Sequence, residues 1–498
     1  MNIIFSAQSL AIKPFFDVAS KITSKDNIGI LLSDHKYSLN LLKEKKIMQK
    51  NFYSDWNLSR NFNYKKSLDI INKYQSLNPS INLMNGINYD RRIIFHPSAQ
   101  FSHSYKKSKL SHQEKLSMLA DACQKVDVLF ERINPDLCYG FLMNTIFDFL
   151  LAYFSNVKNI NYLNLRPSRI ENYFFFESSV FDPPLRIQKK YDLDENLEEF
   201  FELKKDQINE NIEFRKYEGV EKVDFKIKFK LINQIRNTYQ NLISKDSSSP
   251  NLLLQQINKK LLQPLRKIYQ TYIFNFVSPK DLDDKTTYIL FPLHYEPEVQ
   301  LLSYSAPNSD QLDVIKKISL SLPIGCKLLV KEHPLMIGRR KSNFLNEIIQ
   351  LGNTLLVDPS HNVNKYLKYT NLVVTLGSSV SIDALMKNIP VITIGSTLAN
   401  IFDDQLVTKL DSFQNLYQHI KQALSKDLVS SNAELKILKM INVVKTLCLG
   451  VDFYSKVLGR KGAHEINSSD YESEINKIYL HILKLVKEND VEPAIFNK

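Results

Sequence analysis

Cysteine is scarce in this chain: four in 498 residues, Cys123, Cys138, Cys326 and Cys448, each far from the others. That spacing excludes a paired metal-site pattern and a dense disulfide framework, and it predicts a reducing, cytoplasmic setting. Long apolar runs are lacking too. The nearest candidate, Cys138 to Phe154, is interrupted by Asn144 and Asp148, so it reads as a buried helix and not as a membrane span. The start, MNIIFSAQSLAIKPFF, has no basic leader, long apolar core or small-residue cleavage site, so no secretory signal is expected. There is no arginine-rich block and no internal repeat. The net charge of +12 comes from scattered residues, which ranks nucleic acid last among anionic partners, behind a membrane surface and anionic substrates. No nucleic-acid partner is expected.

What is present fits a soluble globular protein: 44% hydrophobic and 24% charged residues. The length predicts two domains plus additions. The first half alternates short strands and helices. Strands are expected at Met1 to Ala7, Asn27 to Leu32, Arg91 to Phe95, Asp136 to Tyr139 and Ile160 to Leu165, with helices over Ile12 to Ser24, Lys115 to Arg132 and around Asp148. Such alternation argues for a parallel sheet covered on both faces. From about Arg186 to Phe276 the chain becomes highly charged, nearly glycine-free and helix-patterned, and reads as a helical arm. Its lysine-rich faces, such as FKIKFK at Phe225 to Lys230, are more economically solvated helix faces than lipid contacts.

A second alternation follows. TTYILFPL, CKLLVKE, TLLVD, NLVVTL and PVITIG are expected strands, Asn308 to Leu320 and FLNEIIQLG expected helices, and the chain after about Asp404 is expected to be helical to its end. The resulting fold class is α/β of the GT-B type: two doubly wound Rossmann-like domains facing a cleft, with a helical insertion and C-terminal helices. The expected divisions are 1–185, 186–280, 281–425 and 426–498. In this arrangement the last helices often cross back onto the first domain.

The most informative stretch is VVTLGSSVSIDALMKNIPVITIG, Val373 to Gly395. A strand breaks at Gly377, offers Ser378 and Ser379, enters a helix and returns to a strand. A helix N-terminus presents unpaired N–H groups and a positive dipole end, which suits a phosphate. In open α/β sheets ligands bind beyond the carboxyl ends of the strands. Those ends carry His294, Glu296 and Glu298; Lys331, Glu332, His333, Arg339 and Arg340; Asp358 and His361; Gly377, Ser378 and Ser379; and Gly395 and Ser396. Recurrence of polar and ionisable residues at four or five strand ends carries more than any one motif. Alone, His333 before proline is a strand-end cap; after Lys331-Glu332 it reads as a ligand-binding residue. His294, Glu296 and Glu298 are candidate acids or bases, with a surface loop as the ordinary alternative. Arg166 and Arg169 follow an expected strand and are candidate acceptor or anion ligands, with pairing to Glu171 equally open. Asp148, Glu171, Asp136 and Glu131 are candidate carboxylates, each equally explicable as a cap, surface charge or ion-pair partner. Asp283-Asp284 and Asp403-Asp404 read as loop charges, so no metal is expected.

The segment from about Thr286 to Gly395 resembles the capsule polysaccharide biosynthesis family. It looks most like Kdo transferases and related enzymes that use CMP-activated acidic sugars, on the strength of FPLHYEPE, VKEHP and LGSSVSIDALMKNIPVITIG. The His-Pro and Ser-Ser elements are also similar to those of bacterial GT-B sialyltransferases, where they contact the nucleotide phosphate. The resemblance implies that role for His333, Ser378 and Ser379, and donor binding for Lys331, Glu332 and Gly377. It implies a cytoplasmic glycosyltransferase without cofactor or metal, possible peripheral contact with the inner membrane, a CMP-linked Kdo or nonulosonate donor, and a glycan or glycolipid acceptor. The first domain would hold the acceptor and often the catalytic carboxylate, for which Asp148 is the lead candidate beside His294, Glu296 and Glu298. A CDP-glycerol-type glycerophosphotransferase is the nearest enzymatic alternative, although its Asp-Tyr before the serines is Leu376-Gly377 here; a sugar-nucleotide 2-epimerase shares the fold but tends to be shorter and to carry a glycine-rich phosphate loop in place of Gly-Ser-Ser. A non-catalytic GT-B binding subunit is the other.

Overall fold

Two separate sheets organise the chain in the computed structural model, which describes residues 1–33, 49–90, 93, 110–181, 183–193, 263–340, 342–429, 432–459 and 468–496. The first sheet contains β1 (Ile3–Ala7), β2 (Ile28–Leu32), β3 (Phe52–Ser54), β4 (Leu137–Phe141), β5 (Asn161–Pro167), β6 (Tyr173–Glu177) and a late strand, β13 (Leu449–Gly450). Their spatial order is β13-β6-β5-β4-β1-β2-β3. β1 to β5 are parallel, while β6 and β13 add antiparallel pairings at one edge. Strands β1 and β2 are buried at every position, as expected when helices cover both faces. Helices α1 (Ile12–Ile22), α2 (Tyr64–Gln75), α3 (His112–Ile133) and α4 (Ile146–Lys158) supply that cover.

The helix expected from Lys115 begins three residues earlier. Ser111 and Glu114 form a reciprocal capping box that satisfies two N-terminal donors and so starts α3 at His112. The strand expected at Arg91 to Phe95 lies outside the described residues except for Ile93, which sits in a turn. Of the expected helical arm, α5 (Leu185–Leu193) and α6 (Gln263–Ile273) are its described ends; residues 194–262, FKIKFK included, lie outside the described residues.

The second sheet contains β7 (Thr287–Pro292), β8 (Cys326–Lys331), β9 (Thr354–Val357), β10 (Thr370–Thr375), β11 (Val391–Thr393) and β12 (Val407–Lys409). Its order is β12-β11-β10-β7-β8-β9, all parallel. Numbered within the domain, that is the Rossmann order 3-2-1-4-5-6. Side chains alternate as the pleat requires: Ile289, Phe291, Leu328 and Val330 enter one core layer, and Leu290 and Leu329 enter the other. The first layer is closed by α7 (Gln311–Leu320), α8 (Ser342–Ile349) and α10 (Leu416–Leu424), the second by α9 (Val380–Leu385) and α11 (Ala433–Leu447). Helix α7 starts at Gln311 and not Asn308 because the Asp310 carboxylate caps Leu312 and Asp313.

Beyond Asp404 the chain is not wholly helical. β12 and β13 interrupt it; at three and two residues they are too short for a period-2 signal. β13 pairs with β6 in the first sheet. The terminal helix α12 (Ser468–Lys487) then buries Ile475, Ile478, Ile482 and Leu485 in the layer that also holds Phe15 and Phe16 of α1. Lys21 of α1 reaches Glu472 at 2.5 Å. The end of the chain therefore returns to the first domain. This architecture is GT-B: two doubly wound sheets and a C-terminal crossover. No helix among the described residues is long and apolar enough to cross a membrane.

Candidate functional site

Each sheet reverses its strand order once, β1 against β4 in the first and β7 against β10 in the second. Such a switch point leaves a crevice at the strand ends, because the flanking helices run to opposite faces. His294 follows β7, and Gly377, Ser378 and Ser379 follow β10; Ser6 lies in β1 and Asp148 lies beyond β4. Of the sequence candidates, His294, Gly377, Ser378, Ser379 and Asp148 thus lie by the switch points, whereas Lys331, Glu332 and His333 follow β8 and Arg166 and Arg169 belong to β5 and the turn after it.

A buried charge cluster holds the β7 end against the β8 end. Arg340 is wholly buried and donates from Nε to Glu332 at 2.5 Å and from Nη2 to Glu332 at 3.0 Å and to the His294 carbonyl at 2.9 Å. Its Nη1 lies 2.8 Å from Glu296. Gln311 donates to Glu296 and to the His294 carbonyl, and its own oxygen accepts from His294 N at 2.7 Å. Burial opposes the Arg340 charge, but the two carboxylates more than offset it and raise its pKa. Glu296 and Glu332, read from sequence as site residues, are committed to this cluster. Their carboxylates set the loop that carries the others.

His294, Glu298 and His333 stand above it. His294 Nδ1 is 3.8 Å from Glu298, and its buried Nε2 makes no hydrogen bond among the described residues. Glu298 is 31% exposed. Burial pushes its carboxyl up, yet the neighbouring His294, Arg169 and His333 together hold it below the usual carboxylate range. His333 Nδ1 accepts from Leu335 N at 3.2 Å, which places the proton of the neutral ring on Nε2. Burial lowers its pKa to about 4, against the pull of Glu298, so at neutral pH it donates one hydrogen bond without carrying charge. Lys331 is also buried, its pKa lowered by burial to about 8, and its Nζ rests on the Pro359 carbonyl at 3.3 Å. Arg339 donates to Tyr295 at 2.8 Å, and Tyr295 packs edge-on to the His333 ring. His361 lies beside Tyr366.

A pH dependence follows from His333. Its folded pKa lies below the unfolded value of about 6.5, so its neutral form stabilises the fold above that pH, and the contribution is lost as pH falls toward about 4. Burial lowers His481 to about 4 in the same way. Thermal melts between pH 7.5 and 4.5 are expected to fall with pH, and His333→Gln to flatten the fall. An equal slope in the variant would remove His333 as a cause.

The serine turn is held from below. Gly377 has φ +100, and a Cβ there would meet Gln300 Nε2 at 2.0 Å. Gln300 donates to the carbonyls of Leu376 and Ser396, at 3.1 and 2.9 Å, and Ser305 donates to Leu376 at 2.5 Å. Ser378 N donates to Thr375 Oγ1, and Ser378 Oγ accepts from Val380 N. Ser379 is exposed. Helix α9 is only six residues long, so its dipole is weaker than the sequence pattern suggested. Gly377, Ser379, Ser381 and Thr397 line a pocket whose opposite wall is Pro167 to Ile170 of the first domain.

In the first domain, Asp148 is buried and accepts from Ser6, at 2.5 Å, from Asn144 N and from Thr145. It caps α4 while sitting at the switch point. Arg166, 2% exposed, donates to Ser179 at 3.3 Å and lies over the rings of Phe175 and Tyr304. That places Arg166 in the interdomain packing and Arg169 in the pocket wall. Glu171 pairs with Lys445 at 2.8 Å. Asp136 accepts from Asn2 N.

Sequence reasoning missed Gln300, Ser305 and Tyr304. All lie in or just after a π-helical turn, Gln300–Tyr304, whose widened spacing matches neither helix nor strand periodicity. Gly377 before the serines was the one available signal, since a glycine at φ +100 allows something to approach beneath it.

Residues 233–438 match the family model described as capsule polysaccharide biosynthesis protein. No curated protein matches the chain. Among solved structures, similarity extends to UDP-GlcNAc 2-epimerase from Neisseria meningitidis, at 12% identity and TM-score 0.26 over 97% of this chain and 100% of that one. It extends also to the beta Kdo 2,4 transferase of Thermosulfurimonas dismutans KpsC, at 12% identity and TM-score 0.31 over 61% and 78%. The beta Kdo 2,7 transferase of the same protein gives 15% identity and TM-score 0.29 over 64% and 89%. The fold assignment rests on the strand orders above and not on these scores. The likeness to the capsule polysaccharide biosynthesis family is confined to this segment, residues 233–438, less than half of the chain.

Proposed function

We propose that the protein is a GT-B glycosyltransferase of bacterial surface-polysaccharide synthesis that takes its sugar from a nucleotide donor. The observation that carries this reading is the placement of His294 and Glu298 after β7, His333 after β8 and the serine turn after β10 at one edge of the second sheet, with the serine turn facing a wall of the first domain. The finer reading is a CMP-linked acidic sugar, Kdo or a nonulosonate, transferred to a glycan or glycolipid acceptor at the cytoplasmic face of the membrane. Residues 1–185 would hold the acceptor and 281–425 the donor, with 186–280 as an arm and 426–498 closing on the first domain.

In that chemistry the bond from the anomeric carbon to the phosphate oxygen breaks, and a new bond forms to an acceptor hydroxyl that gives up its proton. The leaving phosphate would rest on Ser378 and Ser379, with a hydrogen bond from neutral His333 Nε2. Glu298 is the favoured carboxylate, to stabilise the oxocarbenium-like state or take the acceptor proton with His294. Glu296 is saturated by Arg340 and Gln311, and Asp148 by Ser6, Asn144 and Thr145. A carboxylate whose lone pairs are already satisfied is a poorer base.

Calorimetric titration with CMP, CDP, UDP and GDP tests the reading. Saturable CMP or CDP binding is expected, weakened about tenfold or more by Ser379→Ala and by His333→Ala. Preference for UDP or GDP would keep the transferase and discard the CMP-linked donor. A folded protein that binds none of the four would favour the non-catalytic alternative.

A further inference from the structure

A phosphate bound at the serine turn favours a cation, and four described side chains at the strand ends of the second sheet are engaged elsewhere. Arg340 is held by two carboxylates, Lys331 rests on a carbonyl, Arg339 is on Tyr295, and His333 uses Nδ1 to accept a backbone N–H. The first domain supplies Arg169 to the same pocket wall that faces Gly377 and Ser379. We propose that Arg169 is a ligand of the donor phosphate, so that the nucleotide site is built from both domains; this rests on the functional reading above.

The loop carrying Arg169 is fixed to the second domain and not merely near it. Ile170 is 1% exposed and, with Phe175, lies in the core layer that also contains Val373, Val380 and Ile382. Hydrogen bonds tie the turn to itself: Ser168 N donates to the Tyr173 carbonyl, Tyr173 N to the Ile170 carbonyl, and Ser168 Oγ accepts from Ile170 N and donates to the Ile170 carbonyl. Arg169 itself adopts φ +71. Left-handed backbone is costly for an arginine and ordinary for glycine or asparagine, and such outliers concentrate at ligand clamps. The half-buried guanidinium is near enough to Glu298 to help hold that carboxyl below the usual carboxylate range. A planar fork of donors suits a phosphate oxygen pair. Donor binding then bridges the domains, and the acceptor side senses whether the donor is in place.

The same conformation provides clean variants. Arg169→Asn and Arg169→Gly remove the charge while suiting the left-handed backbone, so both are expected to melt at or above the wild-type temperature. Full-length protein is titrated with CMP, CDP, UDP and GDP, and with cytidine, uridine and guanosine. Both variants are expected to weaken the nucleotide by about tenfold or more and to change the matching nucleoside by less than about twofold, with Arg169→Lys in between. If both variants keep nucleotide affinity within about twofold while Ser379→Ala loses it, Arg169 is not a phosphate ligand and the functional reading stands. A wild-type protein that binds no nucleotide overturns both.

Discussion

Arg340→Met is expected to be among the most destabilising single substitutions in the second domain. Arg340 is shared by Glu296 and Glu332, which are 0% and 2% exposed. Removing it strands two buried carboxylates beside each other, and breaking a buried ion pair from one side costs about 3–5 kcal/mol. It also releases the His294 carbonyl, and with it the loop that carries Glu298. Without the guanidinium, burial and mutual repulsion raise both carboxyl pKa values above their unfolded values. Protonation then favours the folded variant, so its deficit against wild type shrinks as pH falls from about 8 toward 5. Urea unfolding at both pH values measures this. Arg340→Lys restores charge but not the fork and is expected to recover only part of the loss. A midpoint unchanged in Arg340→Met at both pH values would show that the cluster does not hold the strand ends together.

Arg340 also shows where sequence reading stops. That it follows VKEHP at a strand end was visible, and the strand-end rule placed it correctly near the cleft. Whether an arginine there faces solvent, substrate or two carboxylates depends on Glu296, forty-four residues earlier, and no local pattern encodes that pairing. The same division holds elsewhere. Strands β7, β8 and β10 are apolar runs bounded by polar turns, and their register places His294, His333 and the serines at one sheet edge. The Rossmann order of the second sheet and the return of α12 to α1 are tertiary facts. Alternation of elements implied a doubly wound sheet but could not order it. Arg166 and Arg169, three residues apart, looked equivalent in sequence; one packs against two aromatic rings between the domains and the other lines the pocket. The conformation of Arg169 separates them, and nothing in RPSRIE announces a left-handed arginine.

Gly377→Ala is expected to abolish nucleotide binding at the serine turn and to destabilise the second domain by about 2–6 kcal/mol. Two costs add. A non-glycine residue at φ +100 is strained by about 1–3 kcal/mol. The new methyl would also stand 2.0 Å from Gln300 Nε2, 2.8 Å from Gln300 Cδ and 3.1 Å from the Ser396 carbonyl, and overpacking of this kind costs about 1–3 kcal/mol. A glutamine at the surface would swing aside. Gln300 is 4% exposed, and its amide is pinned by two carbonyls, one from each neighbouring strand end, so the methyl moves the turn or breaks both bonds. The two costs separate in a double-mutant cycle. Gln300→Ala alone loses two hydrogen bonds, but it also empties the space that the methyl would enter. Gly377→Ala/Gln300→Ala is therefore expected to be less destabilised than the sum of the single variants by about 1 kcal/mol or more, the remainder being backbone strain. Binding is not expected to return, because Ser378 and Ser379 still hang from a strained residue. Additive stabilities would mean that the methyl is accommodated without touching Gln300. Recovered binding in the double variant would mean that steric displacement by Gln300, and not the conformation of residue 377, governs the turn.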